Sequence, residues 1–99
     1  MSLQATVKRM PPFRILVRGS GLWISLDDEM QRVEFSVHRI LDTTDAETAA
    51  RKALALVRQD PKAQPLPGYP RPTLTVDEVA PADAVPAVQP GFAFYPDPD

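Results

Sequence analysis

The chain contains no cysteine and only one histidine, His38, among 99 residues. These two shortages exclude disulfides, thiolate metal sites, cysteine nucleophiles and any metal site built from several histidines. No apolar run approaches the 18 or more residues of a membrane-spanning helix, and the N-terminus lacks the order of a secretory signal. The sequence therefore predicts a cytoplasmic protein with no metal and no cofactor.

Proline is absent from residues 13–60, although the whole chain has 12 prolines. Ten of them lie at or after Pro61, and five fall within residues 61–72. Since proline has no amide hydrogen and a fixed φ, it interrupts helices and central strands. We predict one domain over residues 1–99, with a flexible basic arm at 1–11, a proline-free core at 13–60 and a proline-rich loop at 61–72.

Alternating apolar and polar residues predict the strands. Residues 13–18 and 22–26 alternate on either side of Gly19-Ser20-Gly21, which predicts a β-hairpin that turns at the glycines. Residues 32–41 are predicted to form a third strand. Residues 73–79 are predicted to form a fourth strand, with Leu74 and Val76 facing the core, and residues 80–90 a loop. Residues 91–95 carry Phe92 and Phe94, which are costly to leave in water, so they should dock as a terminal edge strand on this sheet or a partner's.

Residues 45–59 are predicted to form a helix, because apolar residues recur at helical spacing: Ala46, Ala49, Ala50, Ala53, Leu54 and Val57. Thr44 and Glu47 match a capping box, and Asp60-Pro61 should end the helix. An alanine-rich helix face lies close to a sheet, so large side chains such as Phe13, Phe35 and Leu26 should fill the layer. The fold class is then α+β, an antiparallel sheet of four to five strands with one helix on one face (β-β-β-α-β-(β)), a two-layer sandwich.

Three segments carry a resemblance: RVEFSVHRILDTTDAETAARKALALVRQDP, PTLTVDEV and PGFAFYPD. Together they resemble a group of small uncharacterised bacterial proteins with a strand-helix unit, a proline-rich loop and a terminal glycine-aromatic segment. The resemblance implies no known activity. The order of strands and helix is more distantly similar to HicB-type antitoxin domains, without their proline-glycine loop or a DNA-binding tail. An immunity- or antitoxin-like role follows only by that analogy.

No catalytic constellation emerges from the residues, so the sequence favours a non-enzymatic protein-binding module. We predict a homodimer that presents a sheet face or a sheet edge to a protein partner. Trp23 falls beside arginines in the alternation, a composition typical of interfaces. An equal alternative is that Trp23 is covered by the proline-rich loop through Tyr69 or Leu66. The candidate binding residues are Arg14, Arg18, Trp23, His38, Arg39 and Tyr95.

Two other functions remain open. A pocket between sheet and helix using Glu34, His38 and Arg39 would make the protein a small-molecule binder or a small enzyme. The first 26 residues carry a net charge of +4, whereas residues 27–60 and 61–99 carry −3 each. Nucleic-acid binding through this basic region is the third and least favoured function, because the basic charge does not extend over the domain.

Overall fold

A computed structural model describes residues 11–97, which form one antiparallel sheet with a helix on one face. The strands follow the order β3-β1-β2-β4 across the sheet. The elements are β1 (Phe13–Leu26), β2 (Glu29–Leu41), α1 (Ala46–Gln59), a 3₁₀ turn (Pro61–Ala63), β3 (Thr73–Pro81) and β4 (Ala93–Pro96). The predicted α+β class, an antiparallel sheet of four to five strands with one helix on one face, is confirmed, and the sheet has four strands. Within this part of the chain, no helix has the length and apolar character needed to cross a membrane.

The hairpin predicted at Gly19-Ser20-Gly21 is wrong, because β1 runs through these residues without reversing. Gly19 pairs with Phe35 and Leu22 with Val33, so Ser20 and Gly21 together face one residue of β2 and form a bulge. Gly21 takes a φ of +75°, the region that costs glycine least.

The chain reverses instead at Asp27 and Asp28, whose φ angles are +51° and +67°. Two successive positive φ angles match the twist of a tight hairpin, and aspartate tolerates that region better than most residues. The two aspartates are thus the turn, and Glu29 already belongs to β2. The order of elements is β-β-α-β-β, so the predicted order β-β-β-α-β-(β) is wrong.

The core lies between α1 and one face of the sheet. Its fully buried large side chains come from both central strands and from the helix: Ile15, Val17, Leu22, Phe35, Val37 and Val57. Ala49 and Ala53 are also fully buried, which confirms the close-packed alanine face of the helix. Phe13 and Phe35 fill the layer as predicted. Leu26 does not, because it directly precedes the hairpin turn and is 43% exposed.

Helix α1 is capped at its N-terminus by Asp45, not by Thr44 as predicted. The Asp45 carboxylate accepts a hydrogen bond from the Thr48 amide at 2.7 Å, and this bond holds the pKa of Asp45 below its usual value of 3.8. A carboxylate is also favoured at the positive end of the helix dipole. The predicted stop is confirmed: Asp60 caps the helix and accepts from the Lys62 amide at 2.9 Å.

The proline-rich half of the chain supplies both edge strands. Leu74 and Val76 of β3 pack against the core as predicted, and β3 extends into the predicted loop as far as Pro81. β4 pairs with β2 of the same chain, and the rings of Phe92 and Phe94 lie 5.2 and 6.1 Å from the Phe35 ring centroid. The prediction that this segment docks as an edge strand is confirmed. Nearly all of the predicted basic arm, residues 1–10, lies outside the described residues.

Candidate functional site

The two faces of the sheet differ, because the helix covers only one of them. Helix α1 packs on the face that carries Ile15, Val17 and Phe35. Alternation along β1 and β2 places Leu16, Arg18 and His38 on the opposite side, which we call the open face. Within residues 11–97 the single α-helix lies on the other side, so the open face is half-exposed or exposed along both central strands.

A depression of about 360 Å³ lies at the centre of the open face. Register explains how three strands contribute to it: Arg18 is directly opposite Ser36, Leu16 opposite His38, and Tyr95 opposite Glu34. The hydroxyls of Ser36 and Tyr95 are hydrogen-bonded at 3.2 Å. We call this site the central depression; its lining is Leu16, Arg18, Glu34, Phe35, Ser36, His38 and Tyr95.

Charge on the open face is partly neutralised by ion pairs. The Arg18 Nε lies 2.9 Å from Asp77 Oδ2, and the Arg32 Nε lies 3.2 Å from Asp97 Oδ2. Both pairs are partly exposed, so each contributes little to stability. They orient the two guanidinium groups. They also leave the open face with charges of both signs, whereas a surface that binds nucleic acid is mainly basic.

Trp23 lies further along the open face, where the β1–β2 hairpin extends past β3 and β4. Its ring centroid is 5.4 Å from that of Tyr69, with a 35° angle between the ring planes. The predicted contact with the proline-rich loop is therefore present. Trp23 nevertheless remains half-exposed, and it borders a cleft of about 500 Å³. We call this site the ribbon cleft; its lining is Trp23, Met30, Gln31, Arg32, Pro96 and Asp97.

Arg39 lies on the helix side of the sheet, apart from the other candidate binding residues. It is 9% exposed, and its guanidinium donates to the carbonyls of His38 and Pro90 at 2.8 Å and to Asp60 Oδ2 at 3.2 Å. The guanidinium carbon also lies 5.4 Å from the Phe92 ring centroid. Arg39 therefore connects β2, the end of α1 and the segment before β4, and it cannot share a site with His38.

The predicted sheet–helix pocket with Glu34, His38 and Arg39 does not fit this geometry. Alternation places Glu34 and His38 on the open face, and the layer under the helix is filled by side chains with almost no exposure. Arg14 is exposed on the open face, two residues along β1 from Leu16 of the central depression. Among the described residues, no group of three or more metal-ligating side chains comes together.

Sequence reasoning missed three residues that shape the site. Ser36 was one of several polar residues in alternation, and only the docking of β4 reveals its contact with Tyr95. Gln89 extends the edge of β2, because its side-chain amide accepts from the Ile40 amide at 2.9 Å and donates to the Ile40 carbonyl at 2.8 Å. Pro96 joins the ribbon cleft. No local pattern in the sequence could have identified these long-range partners.

Comparison with known protein families, with curated proteins and with solved structures finds no match to this chain. Function is therefore argued from the site itself.

Proposed function

We propose that this protein is a cytoplasmic, non-enzymatic binding module that presents its open face to a protein partner, in the first place a second copy of the same chain. The observation that carries the proposal is a four-stranded sheet whose helix covers one face only. An antiparallel sheet can leave one face in water, but this face also carries Leu16 and Trp23, whose apolar surface a further layer would bury. A second protomer supplies such a layer.

Composition of the open face supports a protein partner. Tyr95 is 49% exposed, and the exposed Arg18 lies with it in the central depression. Trp23, which is partly exposed, and Arg14, which is exposed, lie towards opposite ends of the same face. Tyrosine, tryptophan and arginine are the residues most enriched at the energetic centres of interfaces. Leu16, in the middle of the central strand β1, adds an apolar side chain that is only half-buried.

Both sheet edges are poorly suited to strand addition, which favours the face over the edge. β3 is flanked by Pro72, ends at Pro81 and carries a bulge at Asp77, where its register with β1 shifts. β4 has four residues and ends at Pro96. Prolines, bulges and short length are the devices by which edge strands avoid pairing with other chains.

Light scattering over a micromolar concentration series tests the proposal. We expect a dimer whose mass falls on dilution, and we expect Leu16→Lys on the open face to shift the chain to monomer. Lysine at this position lies opposite Glu78, so the variant should fold. Leu56→Lys is the matched control, because Leu56 is 46% exposed on the helix. A wild-type chain that is monomeric throughout, or equal weakening by both variants, would contradict self-association through the open face.

A second candidate function is supported by the central depression, which has the size of a small-molecule site. Arg18, His38 and the paired hydroxyls could orient a polar ligand there. A metabolite that raises the melting temperature of the wild type and not of His38→Ala would favour this function. Retention on heparin at low salt would instead favour the third function, nucleic-acid binding.

A further inference from the structure

The ribbon cleft lies where the β1–β2 hairpin extends past β3 and β4, away from the central depression. Trp23 forms one wall, and outside the cleft its ring packs against Tyr69, 5.4 Å away between centroids. Pro96 and Met30 provide apolar surface, and Met30 is 40% exposed. Aromatic rings next to a proline make a surface on which pyrrolidine rings pack well, because both are rigid and lose little conformational entropy on contact. We infer that the ribbon cleft binds a proline-rich, basic-flanked segment of another protein in the polyproline II conformation.

Dimensions of the cleft fit one turn of that helix. Trp23 on β1 is opposite Arg32 on β2, and the Arg32 carbonyl accepts a hydrogen bond from the amide of Asp97, which directly follows β4. The cleft thus crosses two strand spacings, about 10 Å. One turn of polyproline II has three residues and rises about 9 Å, so prolines three positions apart would contact the Trp23 wall and the Pro96 wall together.

Trp23 also offers a hydrogen-bond donor. Among residues 11–97, no group accepts from its indole Nε1, and no side-chain nitrogen is both buried and unbonded, so this N–H reaches solvent. A polyproline II segment has no internal hydrogen bonds and exposes its backbone carbonyls. One such carbonyl can accept from Nε1 and orient the segment in the cleft.

Charge next to the cleft selects a basic flank. Asp27 and Asp28 form the hairpin turn and Glu29 begins β2, and the turn starts about 13 Å along the ribbon from Trp23. The one arginine of the cleft, Arg32, is paired with Asp97. A segment that places arginines beyond its prolines would therefore meet an acidic turn without opposing positive charge.

Another copy of this chain is not the favoured source of the segment. Its own proline-rich loop already places Tyr69 against Trp23. If that loop left to fill a neighbour's cleft, it would uncover its own Trp23. A segment from a different protein fills the cleft without this loss.

Trp23 is the only tryptophan of the chain, so its fluorescence reports on the cleft directly. The probe is a proline-leucine peptide that ends in arginines and has no aromatic residue. We expect a saturable change in Trp23 emission, and about tenfold weaker binding for Tyr69→Ala, which removes the ring that packs against Trp23 and holds it in place. Tyr69→Phe keeps the ring and should bind as the wild type does. Joint replacement Asp27→Asn and Asp28→Asn suits the positive φ angles and should weaken binding about two- to fivefold.

A peptide of equal charge with alanine and glycine in place of proline is the control, together with Leu56→Ala on the remote face of the helix. The inference is overturned if the emission does not change, if the control peptide binds equally, or if Leu56→Ala weakens binding as much as Tyr69→Ala. Tighter binding of a peptide copied from residues 64–72 would overturn the choice of partner. These outcomes are independent of the mass measurements, so failure here and failure of self-association are distinguishable.

Discussion

Replacement of Gly19 by alanine should destabilise the fold through one side chain, Phe35. The ring of Phe35 lies directly on the Gly19 backbone, so a Cβ at this position would overlap Cε2 and Cζ and approach Cδ2 to 2.9 Å. Phe35 is fully buried and cannot move outward, because the rings of Phe92 and Phe94 lie against it. The collision must therefore displace a packed core.

The expected cost follows from that geometry. Overpacking a core costs about 1–3 kcal/mol, and complete loss of a buried phenylalanine costs about 3–5 kcal/mol. Since the overlap involves backbone on one side and three rings on the other, we expect about 2–3 kcal/mol for Gly19→Ala. For a domain of this size, that lowers the melting temperature by about 10–20 °C.

Urea unfolding of four proteins isolates the contact: wild type, Gly19→Ala, Phe35→Leu and the double variant. Leucine removes the ring atoms that alanine would meet, so the cost of Gly19→Ala should fall below about 0.5 kcal/mol in that background. Gly91→Ala is the control, because a Cβ there meets nothing within 4 Å. An equal cost of Gly19→Ala in both backgrounds would refute the role of Phe35.

Two further predictions concern the buried arginine and the helix cap. Arg39→Met should cost roughly 3 kcal/mol in urea unfolding and speed amide exchange in β4, and Arg39→Lys should recover only part, since an ammonium cannot reach the same acceptors. If Arg39→Met loses no more free energy of unfolding than Arg51→Ala on the exposed side of the helix, the structural role of Arg39 is contradicted. The Asp45 contribution should be present above the usual carboxyl value of 3.8 and disappear as pH falls through the lower pKa of the folded state. Asp45→Asn keeps the hydrogen-bond acceptor and should flatten the dependence of the melting temperature on pH in the acidic range. An unchanged slope would show that the ionised Asp45 carboxylate is not the source of this dependence.

Most of the fold can be predicted from local patterns in the sequence. The helix follows from alanine spacing and from Asp60-Pro61, and β3 from a short alternating run between prolines. The hairpin prediction failed because glycine signals both turns and bulges. Gly19 is needed for contact with Phe35, and that long-range contact is invisible in a window of neighbouring residues.

The sequence predicts most of the residues that line the central depression, but it does not show which of them lie together. Arg18, His38 and Tyr95 were named from composition and alternation, and cross-strand register brings them into one depression. Arg39 was grouped with His38 because they are adjacent in sequence. Adjacent residues of a strand point to opposite faces, so alternation itself separates them. The burial of Arg39 depends on Pro90 and Asp60, which are distant in the chain.

Side-chain footprinting with hydroxyl radicals, at dilute and concentrated protein, tests the central claim most directly. If the open face is the contact surface, Leu16, His38 and Tyr95 should lose reactivity as the protein is concentrated. Leu56 on the helix and the 82% exposed Val88 should not change. Protection confined to Leu56, or to the β3 edge at Thr73–Pro81, would contradict the assignment of the open face as the binding surface.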